Sequence, residues 1–183
     1  MRSIARKRRE TDRFLVERFA GWIPGWGRRQ LSLTDFYELA ESLGLEVIEY
    51  PFNEDAGCAF WVGVRPYVYY SSKLTGPEQV ITCYHELAHI LYHPSRPEVF
   101  KRTGDLWNMS KCDRQAEIVG VIAWMPEPIV RGLNVDDLMN EFGVSRKLAE
   151  FRKALTLWSL SADNLREHLL SDFHPHSLSS SAL

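Results

Sequence analysis

The sequence predicts an α+β fold in which a short three-stranded sheet lies beside several helices. Three short segments rich in β-branched and aromatic residues, separated by Pro, Gly, Asn and Asp, indicate strands at 45–50, 58–64 and 67–71. Apolar residues at helical spacing precede and follow these strands. The chain has 183 residues, 45% of them hydrophobic, which suffices for one compact domain with a small helical appendage.

The first part of the chain is predicted to be helical on either side of a break. Residues 1–30 combine a basic head with several aromatic residues, and Pro24-Gly25 ends any helix that begins near Glu10. Thr34 is predicted to cap the next helix, and Gly44 is predicted to end it.

Two long helices are predicted after the strands. Thr75-Gly76-Pro77-Glu78 has the capping-box arrangement with Pro in the first turn, and the helix that it starts must stop before Pro94. The second long helix is expected at 111–124, closed by the Pro-containing segment 125–128.

A pair of helices is predicted near the C-terminus. Asn134 is expected to cap a helix at 135–142 that ends at Gly143, and Ser145 to cap another that reaches about Leu160. The chain therefore divides into a basic helix and loop (1–30), a main domain (31–130), a helical segment (131–170) and a flexible tail (171–183).

Composition argues against several classes of protein. Lys and Arg number 22 against 24 Asp and Glu, which does not indicate binding to nucleic acid or to a membrane surface. The longest apolar run, Ile118 to Met125, is much shorter than the roughly 18 residues of a membrane span. Three cysteines without CxxC spacing fit reduced thiols, so we expect a soluble cytoplasmic protein.

The strongest functional signal is the HExxH motif formed by His85, Glu86, Leu87, Ala88 and His89. Two histidines four residues apart leave the same face of a helix and can bind one ion. Zinc held by three protein ligands acidifies a water molecule, and a neighbouring carboxylate such as Glu86 can take its proton. The motif therefore predicts metal-dependent hydrolysis of an amide.

A third ligand is needed, and the second long helix offers two carboxylates on one face, Asp113 and Glu117. One is expected to bind the ion and the other to orient a histidine. His93 extends the histidine row by one turn, but we expect it to support the site or the helix end rather than to bind metal.

The chain resembles the ImmA/IrrE family of metallopeptidases from about Pro66 to Ala154. Four segments carry this resemblance in order: the strand and turn from Tyr67 to Leu74, the HELAH helix with His93 behind it, the run from Asp113 to Glu117 whose helix ends at Met125-Pro126, and the helix pair from Val135 to Arg152. The order and spacing of four segments are more specific than the HExxH motif alone.

The resemblance implies a role for each matching residue. His85 and His89 would be metal ligands and Glu86 the general base. Asp113 would be the third ligand, where the family usually has Glu, unless Glu117 takes that role. The implied cofactor is Zn²⁺, and Mn²⁺ is also possible because His and carboxylate ligands accept several divalent ions.

The resemblance also implies a small zincin fold and a way of holding substrate. In such a fold an edge strand of the sheet pairs with an extended peptide through main-chain hydrogen bonds. Our candidate for this strand is Tyr67, Val68, Tyr69, Tyr70 and Ser71. By resemblance, the substrate would be a helix-turn-helix transcriptional repressor, cleaved to regulate mobile-element or stress genes.

Two other functions compete with this one. The C-terminal helix pair resembles a helix-turn-helix and carries basic residues that could meet phosphates, namely Arg146, Lys147, Arg152 and Lys153. Acidic residues interrupt them, and core burial explains the amphipathic pattern, so we expect no direct DNA binding. A zincin-like scaffold that binds a repressor without cutting it is the second alternative.

Overall fold

A computed structural model describes residue 19, residues 21–92 and residues 110–155 of the chain. It confirms the α+β fold. The elements, in chain order, are α1 (Leu33–Ser42), β1 (Glu46–Tyr50), β2 (Gly57–Val62), β3 (Arg65–Ser71), α2 (Gly76–Tyr92), α3 (Lys111–Trp124), α4 (Glu127–Val130) and α5 (Val135–Phe142). Residues 146–155 are also helical.

Several predictions lie outside the described residues. These are most of the basic N-terminal helix, His93, the last predicted helix beyond residue 155, and the C-terminal tail. The division of the chain at residues 30, 130 and 170 stays a prediction. None of the helices in the described ranges is long and apolar enough to cross a membrane.

The sheet has the strand order β1-β3-β2. β3 pairs in parallel with β1, from Glu46 opposite Tyr67 to Tyr50 opposite Ser71. On its other side β3 pairs antiparallel with β2, so β2 and β3 form a hairpin. The turn of this hairpin contains Gly63, whose positive φ of 62° ends β2 earlier than the sequence predicted.

The predicted substrate-edge strand is wrong, because Tyr67, Val68, Tyr69, Tyr70 and Ser71 belong to the central strand β3. β1 and β2 pair with the main chain of β3 on its two sides. A central strand has no free row of main-chain donors and acceptors to offer a peptide. Within the described part of the chain, the free edges of the sheet belong to β1 and β2.

One face of the sheet packs on the core. Val68 and Tyr70 are buried, whereas their neighbours Tyr67 and Tyr69 are partly exposed, as the alternation of side chains along a strand requires. On the partly exposed face, Phe60 stacks against both of these tyrosines.

Helices α2 and α3 run in opposite directions against each other. Gly120 lies against the main chain of Ile81, and the next contact along α2 joins His85 to Glu117. The pairing of later residues of α2 with earlier residues of α3 defines the antiparallel arrangement. Because most of each helix is buried, their shared face forms the centre of the molecule.

Caps fix the ends of the shorter helices. Ser32, not the predicted Thr34, caps α1: its hydroxyl accepts a hydrogen bond from the main-chain N–H of Asp35, whose carboxylate accepts from the N–H of Ser32. Thr34 lies inside the first turn. Asn134 and Gly143 begin and end α5 as predicted, with Gly143 in the left-handed conformation.

Candidate metal centre

The HExxH motif lies in the second half of α2, inside the protein. His85 and Glu86 have no exposed surface, and His89 is 1% exposed. Burying two imidazoles and a carboxylate is costly unless they have polar or ionic partners. The position of the motif therefore points to a site rather than to a solvent-exposed face.

Three candidate ligand side chains come together where α2 faces the start of α3. The Nε2 atoms of His85 and His89 are 3.1 Å apart, and Asp113 Oδ1 lies 3.6 Å from His89 Nε2. Ligand atoms of these three residues all lie within 4.8 Å of one another. Asp113 is the one of the three that reaches the surface, since its side chain is 26% exposed.

Glu117 lies on the far side of His85 from this cluster. Its Oε2 is 2.9 Å from His85 Nδ1, and both side chains are completely buried. When Nδ1 of a neutral imidazole donates to a carboxylate, Nε2 keeps its lone pair. Glu117 thereby turns Nε2 of His85 toward His89 and Asp113.

Ser110 holds the carboxylate of Asp113. The Ser110 hydroxyl caps α3 by accepting from the Asp113 N–H at 3.1 Å, and it donates to Asp113 Oδ2 at 2.6 Å. Oδ1, the other oxygen, is the one that faces His89. The two oxygens of Asp113 thus have different partners.

Glu86 lies beside the start of β2. A Cβ atom added at Gly57, the first residue of β2, would be 3.1 Å from Glu86 Cγ and 2.8 Å from Thr82 Cγ2. The absence of a side chain at Gly57 lets β2 approach α2 at this point. Cys83 is also buried here, and burial, with the nearby Glu86, raises the pKa of its thiol, so it stays protonated.

The spacing of the cluster could hold one metal ion. Two ligand atoms that each lie about 2.0–2.1 Å from one zinc ion in tetrahedral geometry are about 3.3 Å apart. The observed separations of 3.1 and 3.6 Å lie on either side of this value. Two imidazoles and one carboxylate are a ligand set that leaves a fourth position open, as in catalytic zinc sites.

Basic residues of the helix pair form contacts within the protein. Arg152 is buried and donates to Met125 O at 2.7 Å and to Glu127 Oε2 at 2.8 Å. Lys153 donates to Leu133 O, and Arg146 forms an ion pair with Asp136. The contacts of Arg152 join the last described helix to the segment that follows α3, so this residue is not available to bind phosphate.

Sequence reasoning named the HExxH residues, Asp113 and Glu117, but missed Ser110, Gly57 and Gly120. Ser110 could have been found, since Ser three residues before Asp is a helix-capping pattern. The two glycines give no such signal, because their role depends on which backbone approaches them.

Comparison with known proteins agrees with the fold and with a metallopeptidase-like function. The sequence profile of the family Peptidase_M78, the IrrE N-terminal-like domain, matches residues 40–153, more than half of the chain. No curated protein sequence matches this chain significantly. The matched region includes the sheet, α2 and α3, and so covers the whole candidate metal centre. The match confirms the resemblance seen in the sequence and supports a metallopeptidase-like function: the chain belongs to the family of IrrE N-terminal-like domains.

Proposed function

We propose that the protein is a zinc-dependent endopeptidase that cuts a peptide bond in a protein substrate. The observation that carries the proposal is the convergence of His85, His89 and Asp113 beside the buried Glu86, in a chain of a peptidase family. In this proposal the two histidines and Asp113 hold the ion.

Glu117 is assigned a supporting role rather than that of the third ligand. Its contact with His85 Nδ1 uses the carboxylate on the side of the ring away from the cluster. Carboxylates in this position fix the ring orientation and raise the basicity of the ligating histidine. Asp113 is preferred as a ligand because its Oδ1 lies within the group of converging atoms.

Glu86 is the proposed general base. The chemistry that a bound zinc ion supplies is Lewis acidity, which acidifies water and polarises a carbonyl group. Glu86 takes a proton from the attacking water and passes it to the leaving amine nitrogen. Its burial beside β2 keeps bulk water away, which strengthens the effect of its charge on the proton transfer.

The substrate is proposed to bind along β2 instead of β3. Gly57 places the start of β2 next to Glu86, and β2 is an edge strand within the described residues. An extended peptide could add to this edge by main-chain hydrogen bonds and bring its carbonyl group to the metal centre.

A helix-turn-helix repressor is the proposed substrate, and its cleavage would regulate mobile-element or stress genes. The support for this assignment is the resemblance to the ImmA/IrrE family, together with membership of the family of IrrE N-terminal-like domains. A repressor acts on DNA inside the cell, so the proposal also places the protein in the cytoplasm.

The test is a cleavage assay with the repressor encoded nearest to the gene of this protein. The wild type, Glu86→Gln and Glu78→Gln are each incubated with the repressor and either zinc or manganese, and intact mass is followed. We expect cleavage by the wild type and by Glu78→Gln, since Glu78 lies in the first turn of α2. We expect none by Glu86→Gln, which keeps the metal ligands.

Other outcomes separate the competing functions. Equal cleavage by Glu86→Gln and the wild type would refute the role of Glu86 as general base. A stable complex with the repressor, formed without cleavage by the wild type and by Glu86→Gln, would favour the scaffold alternative. Salt-dependent binding of duplex DNA would favour the DNA-binding alternative.

A further inference from the structure

The carboxylate in the proposed ligand set belongs to an aspartate in the first turn of α3. An aspartate side chain is one methylene shorter than a glutamate side chain, so its oxygens stay close to the helix backbone. To share an ion with His85 and His89, Asp113 needs α3 to lie close to α2, and it needs its carboxylate turned toward the histidines. Two residues outside the ligand set meet these two needs.

Gly120 meets the first need. It lies two turns after Asp113, and a Cβ atom at this position would overlap with the carbonyl oxygen of Ile81. Ile81 lies one turn before His85, so the contact joins the same two helices that carry the ligands. Because the obstacle is main chain, any side chain at 120 would have to push α3 away from α2.

Ser110 meets the second need. Its hydroxyl is 2.6 Å from Asp113 Oδ2, and this contact leaves Oδ1 3.6 Å from His89 Nε2. The Asp113 side chain is partly exposed, so without this hydrogen bond it could turn toward solvent. The hydroxyl also caps the helix, which fixes its own position relative to the Asp113 main chain.

We propose that Ser110 and Gly120 are positioning residues that fit the metal centre to an aspartate ligand. Gly120 sets the distance between α2 and α3, and Ser110 sets the rotation of the Asp113 carboxylate. The proposal rests on the proposed zinc site. The two roles that it assigns follow from the aspartate ligand of this chain and not from the HExxH motif itself. A glutamate at 113 would be too long for the present helix spacing.

Variants of Ser110 separate its action on Asp113 from its helix cap. The zinc dissociation constant is measured by competition with a chelating dye for the wild type, Ser110→Gly, Ser110→Ala and Ser110→Thr. Gly is itself a good N-cap residue, whereas Ala is not. If Ser110 holds Asp113, both Gly and Ala weaken zinc binding by about 10- to 100-fold, as for other residues that orient metal ligands, and Thr restores it. Wild-type affinity in Ser110→Gly would show that the residue serves as a cap alone and would overturn its role.

Asp113→Glu tests the spacing, alone and together with Gly120→Ala. We expect Asp113→Glu alone to weaken zinc binding by about tenfold or more, since the longer side chain overshoots. In the Gly120→Ala background the helices are farther apart, so Asp113→Glu should reduce the zinc affinity by a smaller factor or should restore it. Equal losses in both backgrounds would overturn the role of Gly120. If Gly120→Ala does not fold, Asp113→Glu alone decides, and binding as tight as that of the wild type would refute the spacing argument.

The same titrations distinguish this proposal from the proposed function. A wild-type protein that binds no zinc would overturn the metal site and the positioning roles together. A wild type that binds one zinc ion, with Ser110→Gly and Asp113→Glu binding equally well, would overturn the positioning roles alone. Circular dichroism of each variant shows whether a weaker affinity reflects the site or loss of the fold.

Discussion

Glu117 Oε2 lies 2.9 Å from His85 Nδ1, and both side chains are fully buried. Bulk solvent does not reach this contact, so the carboxylate is the group that satisfies this ring nitrogen. It fixes the tautomer of His85 and the direction in which its Nε2 lone pair points. The pair therefore couples the packing of α3 to the chemistry of α2.

Replacing Glu117 with Gln should weaken zinc binding by about 10- to 100-fold. The amide oxygen can still accept from His85 Nδ1, but the negative charge that raises the basicity of the ring is lost. The dissociation constant for zinc, measured by dye competition, checks this result. Glu141→Gln, at an exposed position of α5, is the control and should bind like the wild type. An unchanged affinity in Glu117→Gln would show that the negative charge of Glu117 contributes nothing to zinc binding.

The sequence predicted the two long helices that carry the candidate ligands, but it left the choice between Asp113 and Glu117 open. Spacing of four residues placed both on one face of α3, and it also placed the two histidines on one face of α2. Which carboxylate meets which histidine depends on how far one helix is shifted along the other. That shift is a property of the packed pair, fixed in part by the contact between Gly120 and Ile81.

The edge strand was mispredicted for a related reason. The hairpin of β2 and β3 is local, and strands joined by a short turn are the pairing that a sequence indicates best. The parallel pairing of β1 with β3 joins segments separated by β2, and composition alone does not reveal it. Once β1 occupies the second side of β3, Tyr67 and its neighbours become central, and β2 is left at the edge.

Gly57→Ala should destabilise the protein and disturb Glu86. Its new methyl group would be 2.8 Å from Tyr69 O and 3.1 Å from Glu86 Cγ, so β2 or the Glu86 side chain must move. Overpacking of this kind costs about 1–3 kcal/mol in the free energy of unfolding, which urea titration measures. Gly21→Ala is the matched control, since a methyl group there meets nothing within 4 Å. Gly21 is helical, so its replacement by Ala should not destabilise the protein. If Gly57→Ala also caused no loss of stability, β2 and α2 would have room to separate.

Arg152→Met should destabilise the protein by about 3 kcal/mol, since it breaks a largely buried ion pair and leaves Met125 O without its donor. Methionine keeps much of the buried volume, so the loss reports mainly on the polar contacts. The control is Arg146→Met, which removes an exposed ion pair with Asp136 and should cost less than about 1 kcal/mol. Equal losses in urea titration would show that the contacts of Arg152 do not hold the C-terminal helices in place.

Asp35 should make the stability of the protein sensitive to acid. Hydrogen bonds, first from Arg29 and then from Ser32, hold the pKa of Asp35 well below its usual range, although partial burial opposes them. In the unfolded chain the pKa returns to about 3.9. Because the pKa is lower in the folded state, the stabilisation is complete above pH 4 and is lost as the pH falls toward the folded-state pKa.

Asp35→Asn removes this titration, so its effect should depend on pH. At pH 7 we expect the free energy of unfolding to fall by about 1 kcal/mol, the typical contribution of a helix-capping interaction. Between about pH 4 and pH 2 the gap between the wild type and the variant should narrow, because Asp35 of the unfolded wild type binds a proton in this range while the folded protein still resists protonation. Urea titrations at pH 7, 5 and 3 measure the gap, and Glu41→Gln on the exposed face of α1 should differ from the wild type by less than about 0.5 kcal/mol at pH 7. A gap that stays constant from pH 7 to pH 3 would show that the charge of Asp35 contributes nothing to the cap of α1.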